Sequence, residues 1–264
     1  MTCCDALGRQ MSQDPFSSVF STLAWDGEGN LAFLQEHLDR MNRHAERLDV
    51  KLPINLKEEI ENSLGDLAKC DETNAMPPGL VTVRVTEDGD VLVSGRTNAK
   101  YRSMGSVISV AAPKWSSRVR GTKHGAWQPY LEAKKLARKN GADAAILVDE
   151  GAVIDADRAT PVILDQDGTI WIADDRQGGV DSVTLKIILP ELMKSGMPVN
   201  KGRLHEKMIG RCREMILVGT GIGVMKIEEI DEQRIGKDDE GKLFTIAKDS
   251  LHRALLESWG GDKS

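Results

Sequence analysis

The sequence is short of positive charge, of cysteine and of long apolar runs, and each shortage closes off a class of function. Its 35 Lys and Arg stand against 41 Asp and Glu, a formal net charge of −6. A nucleic-acid partner is therefore not expected, because neutralising phosphates takes clustered cations in excess. One basic run, Lys114 to Lys123, reads in this acidic chain as a local anion site. No stretch of about 18 apolar residues is present, so no membrane partner is expected. The opening MTCCDALGRQMSQDPF lacks a basic start followed by an apolar core. Residues 1–14 are read as a frayed leader and not as a secretory signal. The four cysteines, Cys3, Cys4, Cys70 and Cys212, follow no zinc-type spacing, and the adjacent pair cannot easily bridge. That is a reduced, cytoplasmic pattern. The five histidines are scattered, so no metal is expected. Neither an internal repeat nor a low-complexity segment is visible.

What remains has the balance of an ordinary globular protein, 40% hydrophobic and 29% charged. The length suits one large domain or two modest ones. PFSSVFSTLAW (15–25) alternates and predicts a strand closed by the turn Asp26-Gly27-Glu28-Gly29. From Asn30 to Val50, the residues Leu31, Leu34, Leu38, Met41 and Leu48 recur at helical spacing. A second helix is predicted from Asn55 to Lys69, then a hairpin of LVTVRV (80–85) and DVLVSG (90–95) and a strand at SVISVAA (106–112). PKWSSRVRGTKHG (113–125) is polar, basic and unpatterned, as a linker or site loop is. A helix over 126–139 follows, then strands at 144–149, 152–155, 159–164 and 169–173. A helix from about Gly179 to Lys194, a strand or turn at 197–200, strands at 215–221 and 223–230, and a helix from about Lys242 to Trp259 complete the reading. The fold class is α/β, with a small N-terminal domain over 1–112, a joining loop over 113–124 and a C-terminal domain over 125–264.

Three segments carry chemistry. The first is FLQEHLDRMNRHAERLDV (33–50), with His37-x-x-Arg40-Met41 after a strand and turn. By itself it also suits a solvated helix with an i,i+4 pair of Glu36 and Arg40. The second runs from Gly121 to Leu164: Lys123 in a loop that opens a helix, then the strand from Gly141 to Asp149, then Gly151-Ala152-Val153-Ile154-Asp155. The third is CREMILVGTGIGVMKIEEID (212–231), in which Thr220 between Gly219 and Gly221 lets backbone N–H groups approach an anion closely.

In this order and spacing the three segments resemble the class IV aminotransferase family, over about residues 16 to 258. The resemblance implies a two-domain fold type IV enzyme that binds pyridoxal 5′-phosphate, forms homodimers and acts on a small amino-acid-like substrate. It implies Lys123 as the Schiff-base lysine and Arg40 as a grip on the cofactor phosphate. Gly219, Thr220 and Gly221 would complete the phosphate cup, and Asp155 would stand beside the pyridine nitrogen. A lysine amine can hold an aldehyde cofactor and then move the α-proton, while a carboxylate keeps the ring nitrogen protonated.

The chain departs from the family pattern at several points. Asp155 replaces a Glu, and Thr160-Pro161 stands where the family has Asn. The phosphate-capping Gly-Ile-Thr-Arg reads Gly179-Val180-Asp181-Ser182, so Ser182 must supply the hydroxyl while Asp181 would repel phosphate. A family Tyr is Gln128, preceded by Trp127, and the opening hairpin ahead of Phe16 is not matched. Lys123-His124 without that Tyr resembles the aminodeoxychorismate lyases, which release 4-aminobenzoate and pyruvate, and this is the preferred reading. Branched-chain or D-amino-acid transaminases are the alternative, and a catalytically altered binding protein is the third.

Overall fold

The computed structural model describes residues 12–236 and 241–260. Cys3, Cys4 and most of the expected leader lie outside them. The described residues divide into two compact units. The first takes its residues from Met1–Lys100, Trp115–Pro129 and Leu255–Ser264, the second from Tyr101–Lys114 and Tyr130–Ala254.

The first unit is built on β1 (Ser18–Trp25), α1 (Leu34–Leu48), α2 (Leu56–Leu64), β2 (Gly79–Thr86) and β3 (Val91–Thr97). The strands form an antiparallel sheet in the order β1-β2-β3. Val19, Leu23 and Trp25 of β1 alternate onto the same side as Val81, Val83 and Val85 of β2, and Met41, Ala45, Leu48 and Ile60 of the helices join them in one core. The expected strand at 15–25 starts later, at Ser18. Asp14 accepts a hydrogen bond from the Phe16 N–H and holds Pro15–Ser17 in a single 3₁₀ turn. The helix expected to reach Lys69 stops at Leu64, where the Asp66 and Leu67 N–H groups bond three residues back and tighten the chain out of the helix.

The second unit holds β4 (Met104–Ala111), most of α3 (Gln128–Lys139), β5 (Ala144–Asp149), β6 (Ala152–Ala156), β7 (Thr160–Leu164), β8 (Ile170–Ala173) and α4 (Val183–Lys194). It continues with β9 (Val199–Gly202), β10 (Leu204–His205), α5 (Glu206–Ile209), β11 (Glu214–Gly219), β12 (Gly223–Ile230), β13 (Gln233–Arg234) and the start of α6 (Lys242–Ser258). One sheet runs β10-β6-β5-β4-β12-β11-β7-β8-β9, with β13 on β12. Its central strands are apolar on both faces, as buried strands must be: β5 is Ala144-Ala145-Ile146-Leu147 and β11 is fully buried. Pro161, an awkward residue for a central strand, pairs with Leu217 of β11, while the pairing of β7 with β8 begins only at Val162. The missing N–H therefore costs no ladder bond on that side. Helix α4 begins at Val183 and not at Gly179, because Ser182 caps it by accepting from the Leu185 N–H at 3.1 Å.

Candidate functional site

In the first unit one helix face organises two of the expected site residues. Arg40 is 4% exposed, which settles its place: it is a buried cation on the core side of α1 and not half of a solvated pair with Glu36, which is exposed. Arg40 Nη2 donates to Ser21 Oγ at 2.7 Å and lies 3.3 Å from His37 Nδ1, which also meets Ser21 Oγ at 2.8 Å. A guanidinium can only donate, so Ser21 Oγ is the acceptor that fixes its position.

Lys123 lies in Trp115–Pro129, within the first unit. Its carbonyl accepts from the Phe20 N–H of β1 at 3.2 Å, and its own N–H donates to His44 Nδ1 at 3.1 Å. The next residue, His124, bridges to Val19 in antiparallel fashion. With the backbone pinned, the half-buried side chain places Nζ 4.7 Å from the Phe20 ring centroid and 4.6 Å from that of Trp127. Two other basic residues of the run serve the fold. Lys114 pairs with Asp149, and Arg118 lies 5.2 Å over the Phe16 ring and donates Nε to the Arg47 carbonyl. The run is therefore tied down locally and does not read as one anion patch.

In the second unit the remaining candidates are drawn together by close backbone contacts. Asp155, at the end of β6, is 6% exposed; Oδ1 accepts from the Ala156 N–H at 2.9 Å and Oδ2 from the Val180 N–H at 2.8 Å. Strand β6 and the Gly179 loop approach so closely that a Cβ on Gly179 would lie 2.4 Å from the Ile154 carbonyl oxygen. That loop leads into α4, whose cap Ser182 accepts with its oxygen and keeps its O–H to donate. Asp181 beside it is paired with Lys186 at 2.8 Å, so its charge is compensated and does not stand bare against an anion. Gly219 ends β11 against the β6–β7 turn, where a Cβ would lie 2.7 Å from the Arg158 carbonyl oxygen. Thr220 and Gly221 follow in the turn to β12. Asp157, in the β6–β7 turn, has no exposed side-chain surface; burial pushes its carboxyl up to about 6, against the pull of Arg158 at 2.5 Å.

His124, next to Lys123 in the first unit, gives that unit a pH signature. It is fully buried, with its ring edge-on to Trp115 at 4.6 Å and Trp127 at 5.6 Å. Burial first, and the adjacent Lys123 charge second, push its pKa from 6.5 down to about 4. The unfolded chain thus takes up a proton below pH 6.5 that the folded chain refuses. This stabilisation is present above pH 6.5 and is lost as pH falls to 4, by up to about 3 kcal/mol at 1.36 kcal/mol per unit. Urea midpoints between pH 7 and 4.5 should fall markedly in the parent and much less in His124→Phe. Equal acid sensitivity in both proteins would contradict the buried neutral imidazole.

Each unit's donor set suits part of pyridoxal 5′-phosphate. The first offers an amine for an aldehyde and a buried guanidinium for a phosphate. The second offers N–H groups at the start of the 12-residue α4, the Ser182 hydroxyl and a tight Gly219 turn for an anion. Its Asp155 carboxylate, an acceptor fixed in place by two backbone bonds, suits a protonated ring nitrogen. The sequence reading missed Ser21, His44, Phe20 and the packing role of Gly179. One signal was there: His37, Arg40 and His44 fall at helical spacing within the apolar stripe of Leu38, Met41, Ala45 and Leu48, which marks polar side chains turned inward.

Comparisons with known proteins bear on the family and the fold. The family described as amino-transferase class IV matches residues 18–230, a span that includes every candidate above. A probable branched-chain-amino-acid aminotransferase of Rickettsia felis is 27% identical over 249 residues, covering 83% of this chain and 82% of the relative. Among solved structures, the branched-chain aminotransferase of the thermophilic archaeon Thermoproteus uzoniensis with norvaline has a TM-score of 0.77 at 18% identity, over 93% of this chain and 88% of that one. The branched-chain amino acid aminotransferase of Escherichia coli has a TM-score of 0.75 at 12% identity, over 96% and 90%. At such identities the two structures speak for the fold, which is the α/β arrangement the resemblance implied.

Proposed function

The chain belongs to the class IV aminotransferases, and we propose that it is a pyridoxal-5′-phosphate transaminase for amino acids with apolar side chains. The observation that carries this reading is the pair of rings flanking Lys123 Nζ, those of Phe20 and Trp127. A substrate amine brought to the place of Nζ would bring its side chain near these rings, which suit an apolar group. The branched-chain naming of the relative supports the same substrate class.

When bound, the cofactor supplies an aldehyde carbon for the substrate nitrogen and a ring that draws electrons from the Cα–H bond. Lys123 would hold the cofactor through its amine, and that amine, when free, would take up and return the substrate's α-proton. In the first unit Arg40, whose guanidinium Ser21 and His37 fix, would hold a phosphate; in the second, Ser182 and the Gly219-Thr220-Gly221 turn would offer groups for an anion. Asp155 would serve as the carboxylate that holds a ring nitrogen in its protonated form. Because the Val180 and Ala156 N–H groups hold both carboxylate oxygens, the shorter aspartate is rigid where the family glutamate is longer. The working protein is a homodimer, as the resemblance implies.

A lyase reading retains one observation, the Lys123-His124 pair, while the relatives' names weigh for transamination. A half-reaction separates the two. Mixed with L-leucine or L-isoleucine alone, the holoenzyme should convert its cofactor fully to the pyridoxamine form, and 2-oxoglutarate should restore the starting spectrum. No change with any amino acid, together with pyruvate release from aminodeoxychorismate, would overturn the transaminase reading in favour of the lyase.

A further inference from the structure

We propose that helix α1 is a clamp that sets the position of Lys123, with Arg47 and His44 as its positioning residues. The proposal deepens the reading of Lys123 given above and rests on it for the chemistry, though not for the geometry. Arg40, His44 and Arg47 are spaced i, i+4 and i+7, so they stand in one row along the helix. Arg47, exposed in the last turn of α1, turns the two hydrogens of Nη2 onto the carbonyls of Ser117 at 2.7 Å and Arg120 at 2.6 Å. The loop answers with Arg118, whose Nε donates to the Arg47 carbonyl at 3.0 Å. One turn earlier on the helix, His44 Nδ1 accepts from the Lys123 N–H.

Between these two holds the loop is wound tightly on itself. Val119 and Arg120 N–H groups bond to the Ser116 carbonyl, and Thr122 bonds to the Val119 carbonyl through both its N–H and its hydroxyl. Val119 is buried in the core of the same unit. A loop closed at Ser117, Arg120 and Lys123 on one rigid helix can shift only if that helix shifts. The same helix carries Arg40 one turn before His44. The separation between the amine-bearing residue and the buried guanidinium is thus fixed by α1 itself, which is the spacing a cofactor bonded at one end and gripped at the other requires.

Arg47 lies outside the residues that would touch cofactor or substrate, and being exposed it can be changed without opening the core. In Arg47→Ala, the amides of Val119, Arg120, Thr122 and Lys123 should exchange with deuterium about tenfold faster or more, the scale of losing one or two charge-assisted bonds. Borohydride-fixable attachment of pyridoxal 5′-phosphate should slow about tenfold. Affinity for pyridoxamine 5′-phosphate, which cannot bond to a lysine, should stay within about threefold of the parent. Arg47→Lys, which keeps the charge but loses the planar fork, should fall between the two. Unchanged exchange and attachment would overturn the clamp, as would an equal fall in attachment rate and pyridoxamine 5′-phosphate affinity. If the parent itself attaches no pyridoxal 5′-phosphate, the reading of Lys123 fails separately, and the exchange rates alone decide the clamp: faster in Arg47→Ala upholds it, unchanged overturns it.

Discussion

Lys123→Ala is expected to lower transamination by about 10³-fold or more, since in the proposed role its loss would remove both the covalent hold on the cofactor and the base that moves the α-proton; a positioned acid–base group alone contributes about 10²–10⁴-fold. The fold should survive. The side chain is half-buried, and what it gives to stability is the contact of its ammonium with Phe20 and Trp127, about 0.5–2 kcal/mol. The backbone at 123 is held by the Phe20 N–H and by His44, neither of which depends on the side chain. Cofactor should still bind, now without a covalent hold, and it should dialyse away faster than from the parent. Turnover within tenfold of the parent, in a variant with an unchanged urea midpoint, would remove Lys123 from the chemistry.

Glu214→Ala should produce the largest loss of stability, although Glu214 is no part of the proposed chemistry. Its carboxylate is fully buried at the start of β11, with Oε2 accepting from the Leu243 N–H at 2.8 Å and Oε1 from the Phe244 N–H at 2.7 Å. Those N–H groups belong to the first turn of the 17-residue α6, whose opening amides have no partner inside the helix. A negative charge there also meets the positive end of the helix dipole. Truncation leaves two donors without their acceptor, at about 1–3 kcal/mol each, so a total of about 3 kcal/mol is expected. Glu214→Gln keeps one acceptor oxygen and should lose about half as much. Urea unfolding with an unchanged slope measures both values. A Glu214→Ala variant within about 0.5 kcal/mol of the parent would mean that α6 is held elsewhere.

Glu214 also shows where the sequence stops being legible. Its place in a family-like segment was visible, but its partners lie 29 and 30 residues further on, and no local pattern announces a carboxylate that caps a distant helix. Elements with a strong period could be read: the apolar stripe of α1, the hairpin of β2 and β3, and the run of β5 to β8 all stand close to their expected bounds. Bounds moved where a side chain competed with the backbone. Ser182 was within reach of reading, because a serine just ahead of an apolar run is a cap signal, yet the helix was expected from about Gly179. The candidate site residues were named from motif order and resemblance. Their supports were not, since the grip of Asp155 on Val180, the compensation of Asp181 by Lys186 and the hold of Arg47 on the loop are contacts between separate segments, set by packing.

The central claim is that Lys123 is the residue that carries the cofactor. Holoenzyme reduced with borohydride, digested and read by mass spectrometry tests it in one step. The mass of the reduced cofactor should appear on the peptide that contains Lys123, and on that lysine within it. Its appearance on another lysine, or on none while the protein retains transaminase activity, would contradict the account.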